Sequence, residues 1–198
     1  EYTVTVSVTD EYNYIWADGS DTDVEFTFVI GKAAQSVIVT ISDWAYGETA
    51  KEPDIDGIKE SADTTAFYSG TTNAGTEYSS TTAPTAAGSY TVTVSWEYTD
   101  NYTAGSAESV AFTVEKAKLT KPTANGNTFT YTGSAQTYTP EGFDSDTMTI
   151  SGNVQTNAGK YTVTVSVTDE YNYVWADDTD TDITFTFVIG KAEQSVNV

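Results

Sequence analysis

The chain of 198 residues repeats itself, because residues 2–39 return almost unchanged as residues 161–198. Seven of the 38 aligned positions differ, and most of these changes exchange similar residues. Self-similarity at a fixed period is typical of modular architectures, in which one structural unit recurs along the chain. The repeat therefore predicts an array of modules, and such arrays are more typical of spacers or adhesive stalks than of enzymes.

Alternation of apolar and hydroxylic residues is the clearest local pattern. In residues 161–168, tyrosine and valine alternate with threonine and serine, which predicts a half-buried antiparallel strand. The pattern recurs in residues 2–8 and, in a diverged form, in residues 90–96. A second alternating run follows each of the three, at residues 24–30, 110–114 and 183–189. No segment has a convincing helical period, so we predict an all-β chain with antiparallel sheets and little or no helix.

A short signature ends each strand pair: Gly31-Lys32-Ala33, Glu115-Lys116-Ala117 and Gly190-Lys191-Ala192. The spacings between the three signatures are unequal and together make up one full period of the repeat, so two module types alternate. We predict the last strand pair of a truncated module at residues 1–33, one module at 34–116, a second at 117–191, and the first strand of a following module at 192–198. Six or seven short strands in each complete module favour a small β-sandwich, and the modules are expected to form a rod-like array.

Turn residues divide the second module into predicted strands at residues 118–121, 128–132, 135–139, 147–150, 159–168 and 182–190. In the first module, residues 71–88 are rich in Thr, Ala, Gly and Ser. We predict a long surface excursion there, with at most one strand.

Composition excludes several classes of function. The chain has 29 acidic and 8 basic residues, with a net charge of -21 that would repel nucleic acids and anionic lipid surfaces. No apolar run approaches the roughly 18 residues of a membrane span, so we expect no membrane insertion in this segment. Histidine and cysteine are both absent, which removes the usual general base and all thiolate chemistry. We therefore predict that the chain is not an enzyme.

A tyrosine opens the penultimate strand in the motif Ala-Gly-x-Tyr-x-Val, at Tyr90 and Tyr161, and Tyr2 is the equivalent residue of the first copy. A tyrosine in this place can donate a hydrogen bond back across the preceding corner. We predict a structural role for Tyr2, Tyr90 and Tyr161, with ligand binding as the alternative.

These motifs together resemble a known type of repeat. The strings at residues 131–136, 157–165, 172–177 and 185–192 are similar to the tandem immunoglobulin-like repeats (the MBG and bacterial Ig-like type) of large surface proteins from gut Firmicutes. The first module, with residues 44–48 and 100–105, resembles a companion repeat of the same proteins. The resemblance covers essentially the whole chain. It implies a secreted stalk or adhesin of the bacterial cell surface, with Ig-like sandwich modules, no assigned enzymatic activity and no settled ligand.

Closely spaced carboxylates form the first candidate site. They are Asp177, Asp178, Asp180 and Asp182 in the second copy, and Asp18, Asp21 and Asp23 in the first. Several oxygen ligands on a flexible loop are what calcium needs, so calcium is the one cofactor the sequence allows, although the spacing is not that of an EF-hand. The alternative is a solvated hairpin tip whose charges keep strand edges from aggregating.

Alternating aromatic residues form the second candidate site, at Tyr171, Tyr173 and Trp175 and at Tyr12, Tyr14 and Trp16. Their rings could form a platform for glycans, or they could pack one end of the core. Three functions therefore stay open: a structural spacer, an adhesin that binds a host glycan or protein through these rings or a sheet edge, and a filament subunit completed by strand exchange. The expected partners are neighbouring modules or other copies of the chain.

Overall fold

The computed structural model describes residues 1–195. Every regular element in these residues is a β-strand, and antiparallel pairing predominates, which confirms the predicted all-β fold class. None of these residues forms a helix that is long and apolar enough to cross a membrane.

The chain begins with a separate two-stranded hairpin. Strand β1 (Tyr2–Val6) pairs antiparallel with β2 (Val24–Phe28), in the register that places Tyr2 opposite Phe28. Every residue of both strands is exposed, because no other strand in residues 1–195 pairs with this hairpin. A lone strand pair has no second layer against which to bury an apolar face.

Residues 33–116 form a second group of strands. They are β3 (Ile38–Thr40), β4 (Trp44–Ala45), β5 (Asp54–Asp56), β6 (Thr64–Thr72), β7 (Glu77–Ser80), β8 (Gly88–Trp96), β9 (Gly105–Ser106) and β10 (Val110–Glu115). The main sheet has the order β4-β10-β8-β6-β7, with β9 added beside β8, and β3 pairs with β5 apart from it. All these pairs are antiparallel except β4 with β10, which is parallel. The predicted excursion at residues 71–88 contains one strand that lies wholly within it, β7.

We call the strands of residues 33–116 the first module. Aromatic rings fill its core. Phe112 stacks on Trp44 at 5.0 Å and on Tyr90 at 5.7 Å between ring centroids, and Tyr68 meets Phe112 edge-on at 6.1 Å. The buried residues Val92 and Val94 of β8 lie in the same cluster. The alternating face of β8 is therefore the face that the sequence pattern predicts to be buried.

Residues 117–190 form the third group of strands, which we call the second module. They are β11 (Ala117–Leu119), β12 (Thr128–Thr130), β13 (Gln136–Thr137), β14 (Met148–Ser151), β15 (Val154–Gln155), β16 (Gly159–Val167), β17 (Tyr173–Trp175) and β18 (Ile183–Gly190). The main sheet has the order β12-β18-β16-β14, and β11 pairs with β17 and β13 with β15. The pairs β11–β17 and β12–β18 are parallel, and the others are antiparallel. No strand before Lys116 pairs with a strand that follows it in the described chain.

The second module buries two adjoining groups of side chains. Tyr138 and Phe187 are stacked at 5.8 Å beside Val163 and Ile189, whereas Trp175, Met148, Val165 and Val167 form the other group. The six strands that turn residues predict here are all observed, and β15 and β17 are additional. The strand predicted at residues 192–198 is wrong for residues 192–195, which form no strand, and the rest of that prediction lies outside the described residues.

Candidate functional site at the module junction

The two modules are joined without a linker. Glu115 ends β10 and Ala117 begins β11, so Lys116 is the only residue between two sheets. On one side, the carbonyl of Glu115 accepts the backbone N–H of Tyr46 at 2.8 Å. On the other, the N–H of Ala117 donates to the carbonyl of Asn172 at 2.9 Å. The backbone is therefore hydrogen-bonded into a module immediately before and immediately after the junction.

Side chains join the modules a second time, at a distance from the covalent connection. The Asn172 side-chain oxygen Oδ1 accepts the backbone N–H of Ala87 at 2.8 Å, and the Asn73 amide Nδ2 donates to the carbonyl of Tyr171 at 3.0 Å. The rings of Tyr46 and Tyr173 meet edge-on with centroids 5.2 Å apart. Ala87, at the centre of this contact, is 1% exposed.

Hydrogen bonds within its own turn hold Asn172 in position for the bond to Ala87. Its backbone N–H and its Nδ2 both donate to the carboxylate of Asp169, at 3.3 Å and 2.7 Å, within a turn closed by the backbone. Because Nδ2 is engaged by Asp169, Oδ1 is the atom that faces Ala87. One residue thus connects its own turn, the first strand of its module and the neighbouring module.

A groove of about 450 Å³ lies along the junction. Gly88, Ser89, Thr113 and Glu115 of the first module line it together with Lys118, Val174 and Asp178 of the second. Lys118 and Asp178 form an ion pair at its edge, and both side chains are largely exposed. Among the described residues that line the groove, the charged residues Glu115, Lys118 and Asp178 are exposed.

We call the two side-chain hydrogen bonds and the Tyr46–Tyr173 pair that join the modules the seam. The free energy that the seam contributes can be estimated. Two hydrogen bonds contribute about 1 kcal/mol each, and an edge-on aromatic pair adds a similar amount, so the seam is worth on the order of 3 kcal/mol. That corresponds to a bent-open junction in about one molecule in a hundred. The contact is strong enough to favour one mutual orientation and too weak to fix it permanently.

Each side of the seam has a counterpart elsewhere in the chain. The side formed by Tyr46 and Ala87 has its counterpart at the far end of the second module. At the far end of the second module the N–H of Tyr131 donates to the carbonyl of Gly190 at 2.8 Å, as that of Tyr46 does to Glu115. Tyr131 is 41% exposed there, Ala158 is exposed where Ala87 is buried, and a groove of about 340 Å³ runs beside Lys191. This surface repeats two features of the first module's side of the seam, the backbone bond of the tyrosine and the alanine that precedes the glycine.

The other half recurs in the first module, at Asn101 and Tyr102. The carbonyl of Asn101 accepts the N–H of Ala33 at 2.8 Å, and Nδ2 of Asn101 donates to Glu60 at 2.6 Å, as Asn172 does to Asp169. Hydrogen bonds from Thr99 and Asn101 lower the pKa of the Glu60 carboxyl. Lys32 is anchored in the same place, with its ammonium at 2.5 Å from the carbonyl of Thr99 and 4.4 Å from the centroid of the Tyr98 ring.

The predicted calcium ligands do not converge. All seven aspartates of the two hairpin tips are exposed, and residues 1–195 contain no group of three or more His, Cys, Asp or Glu side chains that could hold a metal ion. Asp177 accepts hydrogen bonds from Lys121 at 2.7 Å and from Thr179 at 2.7 Å, and these lower its pKa to about 2. In the first copy, Asp18 is bonded to the backbone and hydroxyl of Ser20, which lower its pKa. The two carboxylates close their own turns.

The aromatic run does not form one surface. Trp175 is 0% exposed and donates its indole N–H to the carbonyl of Thr181 at 3.0 Å, and Tyr173 packs on Tyr46, while Tyr171 is exposed. Trp175 was a predicted ligand-binding residue, and this part of the prediction is wrong, because a ring enclosed by the core cannot stack on a sugar. In the first copy Trp16 is half-buried, whereas Tyr12 and Tyr14 are exposed.

The tyrosines of the Ala-Gly-x-Tyr motif close the corners that precede their strands. The hydroxyl of Tyr90 donates to the carbonyl of Ala86, and that of Tyr161 to the carbonyl of Asn157, both at 2.8 Å. A Cβ on Gly88 or Gly159 would lie 3.0 Å or 2.9 Å from the hydroxyl of the tyrosine that follows it. The glycine of the motif therefore leaves room for the ring to fold back. Tyr2 instead stacks on Phe28 at 5.4 Å.

No protein-family model matches the chain, and no curated protein sequence matches it significantly.

Sequence reasoning singled out Tyr171 and Tyr173 as candidate ligand-binding residues, but it did not single out Asn73 or Asn172, whose side chains make the hydrogen bonds between the modules. A usable signal was present: Asn-Tyr recurs at residues 13–14, 101–102 and 172–173, in each case ahead of a last strand, and Ala-Gly-x-Tyr recurs at residues 87–90 and 158–161. The repetition marks these pairs as parts of the module, but only the structure shows that an Asn of one module meets an Ala of the other.

Proposed function

We propose that the chain is a spacer segment of a bacterial cell-surface or extracellular fibrous protein, built from tandem Ig-like sandwich modules and secreted to act outside the cell. The observation that carries this proposal is the seam at Lys116, where Asn172 bonds to both Ala87 of the previous module and Ala117 of its own. A linker-free connection with a second point of contact restrains bending. Restraint of this kind is what a stalk needs in order to project.

The recurrence of both halves of the seam supports the same proposal. The exposed surface at Tyr131 and Ala158 is suited to receive an Asn-Tyr turn such as that of Asn101 and Tyr102. If every junction of an array uses this contact, successive modules keep one orientation, and reach grows with the number of modules. The net charge of -21 would keep neighbouring stalks apart.

The alternative of a glycan-binding adhesin has less support. Trp175 is enclosed, and the exposed rings of Tyr12 and Tyr14 lie on the hairpin that has no second layer. No observation in residues 1–195 places two exposed rings of the complete modules on one sugar-sized surface, so we favour the spacer.

Small-angle X-ray scattering of the full chain tests the proposal. The expected result is a narrow distribution of distances between the two modules. The matched control carries a Gly-Ser-Gly-Ser insertion between Lys116 and Ala117, which frees the junction while leaving both modules intact. If the unmodified chain and the insertion variant scatter alike, the junction does not restrain bending and the proposal is wrong.

A further inference from the structure

Asn125 and Gly126 form the only Asn-Gly pair in the sequence, and they lie in the loop that leads into β12. Both residues are exposed. An asparagine side chain can react with the backbone nitrogen of the residue that follows it, and glycine favours this reaction because it has no Cβ to hinder the approach. The proposed spacer function assigns no role to this pair.

The backbone nitrogen of Gly126 is free to take part in such a reaction. Within residues 1–195, no backbone carbonyl accepts a hydrogen bond from the Gly126 N–H. A Cβ built on Gly126 would meet no heavy atom within 4 Å outside the two neighbouring residues. Neither a hydrogen bond to the backbone nor crowding therefore keeps this nitrogen away from the Asn125 side chain.

A hydrogen bond at the surface restrains the Asn125 side chain. Its Nδ2 donates to the carbonyl of Thr139 at 3.0 Å. Water competes for both partners at an exposed position, so the bond contributes little net free energy and opens readily. Once it opens, the side-chain carbon Cγ can turn toward the Gly126 nitrogen.

The loop is anchored on both sides of the pair. Thr123 exchanges two backbone hydrogen bonds with Glu141, at 2.9 Å and 3.0 Å. The carbonyl of Asn127 accepts the N–H of Val188 at 2.9 Å, and Nδ2 of Asn127 donates to the carbonyl of Thr186 at 2.7 Å. The short segment between the anchors spans a set distance, so a change in its length must displace one of them.

We propose that Asn125 is a site of spontaneous deamidation, which converts its side-chain amide to a carboxylate and loosens the start of β12. The Gly126 nitrogen attacks Cγ of Asn125, its proton leaves with the side-chain amide as ammonia, and a succinimide ring forms. Water then opens the ring at either of its carbonyls, which yields aspartate or isoaspartate. In isoaspartate the backbone runs through Cβ and Cγ and is longer by one bond.

Both products weaken the attachment of the loop. A carboxylate has acceptors only, so neither product can donate to the Thr139 carbonyl as Nδ2 of Asn125 does. The longer backbone of isoaspartate also displaces Asn127 relative to Thr123, and β12 begins at the next residue, Thr128. This reaction requires neither the seam nor a spacer function.

The test incubates the full chain in mildly alkaline buffer and locates converted residues over time by protease digestion and fragmentation mass spectrometry. Asn157 is the internal control, because it is exposed as Asn125 is but precedes Ala158, whose Cβ hinders the attack. Conversion at Asn125 should be several-fold faster than at Asn157. It should yield two product peptides of equal mass that separate by chromatography, one with aspartate and one with isoaspartate.

Gly126→Ala is the matched variant, since the space around Gly126 accommodates a methyl group. It should slow conversion of Asn125 several-fold. In the unmodified chain, conversion should speed hydrogen exchange in residues 128–130 and leave that in residues 88–96 unchanged. Equal rates at Asn125 and Asn157, or equal rates with and without Gly126→Ala, would overturn the proposal. Unchanged exchange in β12 after conversion would overturn it as well.

Discussion

The side chain of Asn172 accepts the backbone N–H of Ala87 at 2.8 Å across the junction between the two modules. Its nitrogen is meanwhile held by Asp169 at 2.7 Å. The first bond crosses between modules and the second does not. A substitution at Asn172 therefore affects both a turn and a junction, and the repeated sequence supplies a way to separate these effects.

Asn172→Ala should loosen the junction. Loss of the bond to Ala87 removes about 1 kcal/mol from the seam, which raises the population of bent molecules several-fold. Small-angle scattering should show a broader distribution of inter-module distances. Asn13→Ala is the control, because Asn13 makes the same turn with Asp10 at 2.7 Å in the isolated hairpin. If both variants broaden the distribution equally, the effect does not arise from the seam.

Trp175→Ala should destabilise the second module by about 3 to 5 kcal/mol, as expected for removal of a fully enclosed aromatic side chain. The same change at Trp16 should cost less than about 1 kcal/mol, since that ring lies on a hairpin without a second layer. Urea unfolding, followed by the NMR signals of valine methyl groups in each module, measures both. Equal losses would show that the enclosure of Trp175 contributes little.

Much of the fold could be predicted because strand patterns are local. The alternation in residues 159–168 specifies both the strand and its buried face, and turn residues bound its neighbours. Strand β17 shows the limit of such reasoning. Residues 14–16 and 173–175 are nearly identical, yet only the second set forms a strand, because only there does β11 lie alongside. Pairing depends on a segment that is distant in the chain, which no local pattern reports.

The candidate sites were harder to predict, for a related reason. Clustered aspartates suggest a metal site, but whether their oxygens converge depends on turn geometry. At residue 178 the backbone has a φ of 64°, and at the equivalent Gly19 a φ of 85°. The tip needs a left-handed residue, which aspartate tolerates, so Asp178 is accounted for by the turn and by its ion pair with Lys118.

Gly88→Ala should be more costly than Gly159→Ala, although the two glycines occupy the same place in the motif. A Cβ at residue 88 would clash with the backbone oxygen of Thr71, which cannot move without shifting β6. At residue 159 the three nearest atoms all belong to the Tyr161 side chain, the closest at 2.9 Å. We expect losses of about 1 to 3 kcal/mol and of less than about 1 kcal/mol, respectively. Urea unfolding of each variant checks the order, and the reverse order would contradict it.

Lys121→Met should raise the pKa of Asp177 from about 2 toward the ordinary value near 4. The folded pKa lies below the unfolded one, so the interaction stabilises the second module above about pH 4, and that contribution is lost as the pH falls toward 2. The unmodified chain should therefore lose stability between about pH 4 and pH 2. Lys121→Met should lose less over the same range, because this variant lacks the Lys121–Asp177 interaction already at neutral pH. Carboxyl NMR titration and urea midpoints at pH 5 and pH 2 measure the two effects.

Asp18 is the internal control for this titration. Its carboxylate accepts hydrogen bonds from the backbone and hydroxyl of Ser20, at 3.0 Å and 2.8 Å, and these lower its pKa without a contact to lysine. Lys121→Met should leave the titration of Asp18 unchanged. If both aspartates shift together, the change is a general effect of removing one positive charge. A shift confined to Asp177 would show that the Lys121 ammonium acts through its direct hydrogen bond.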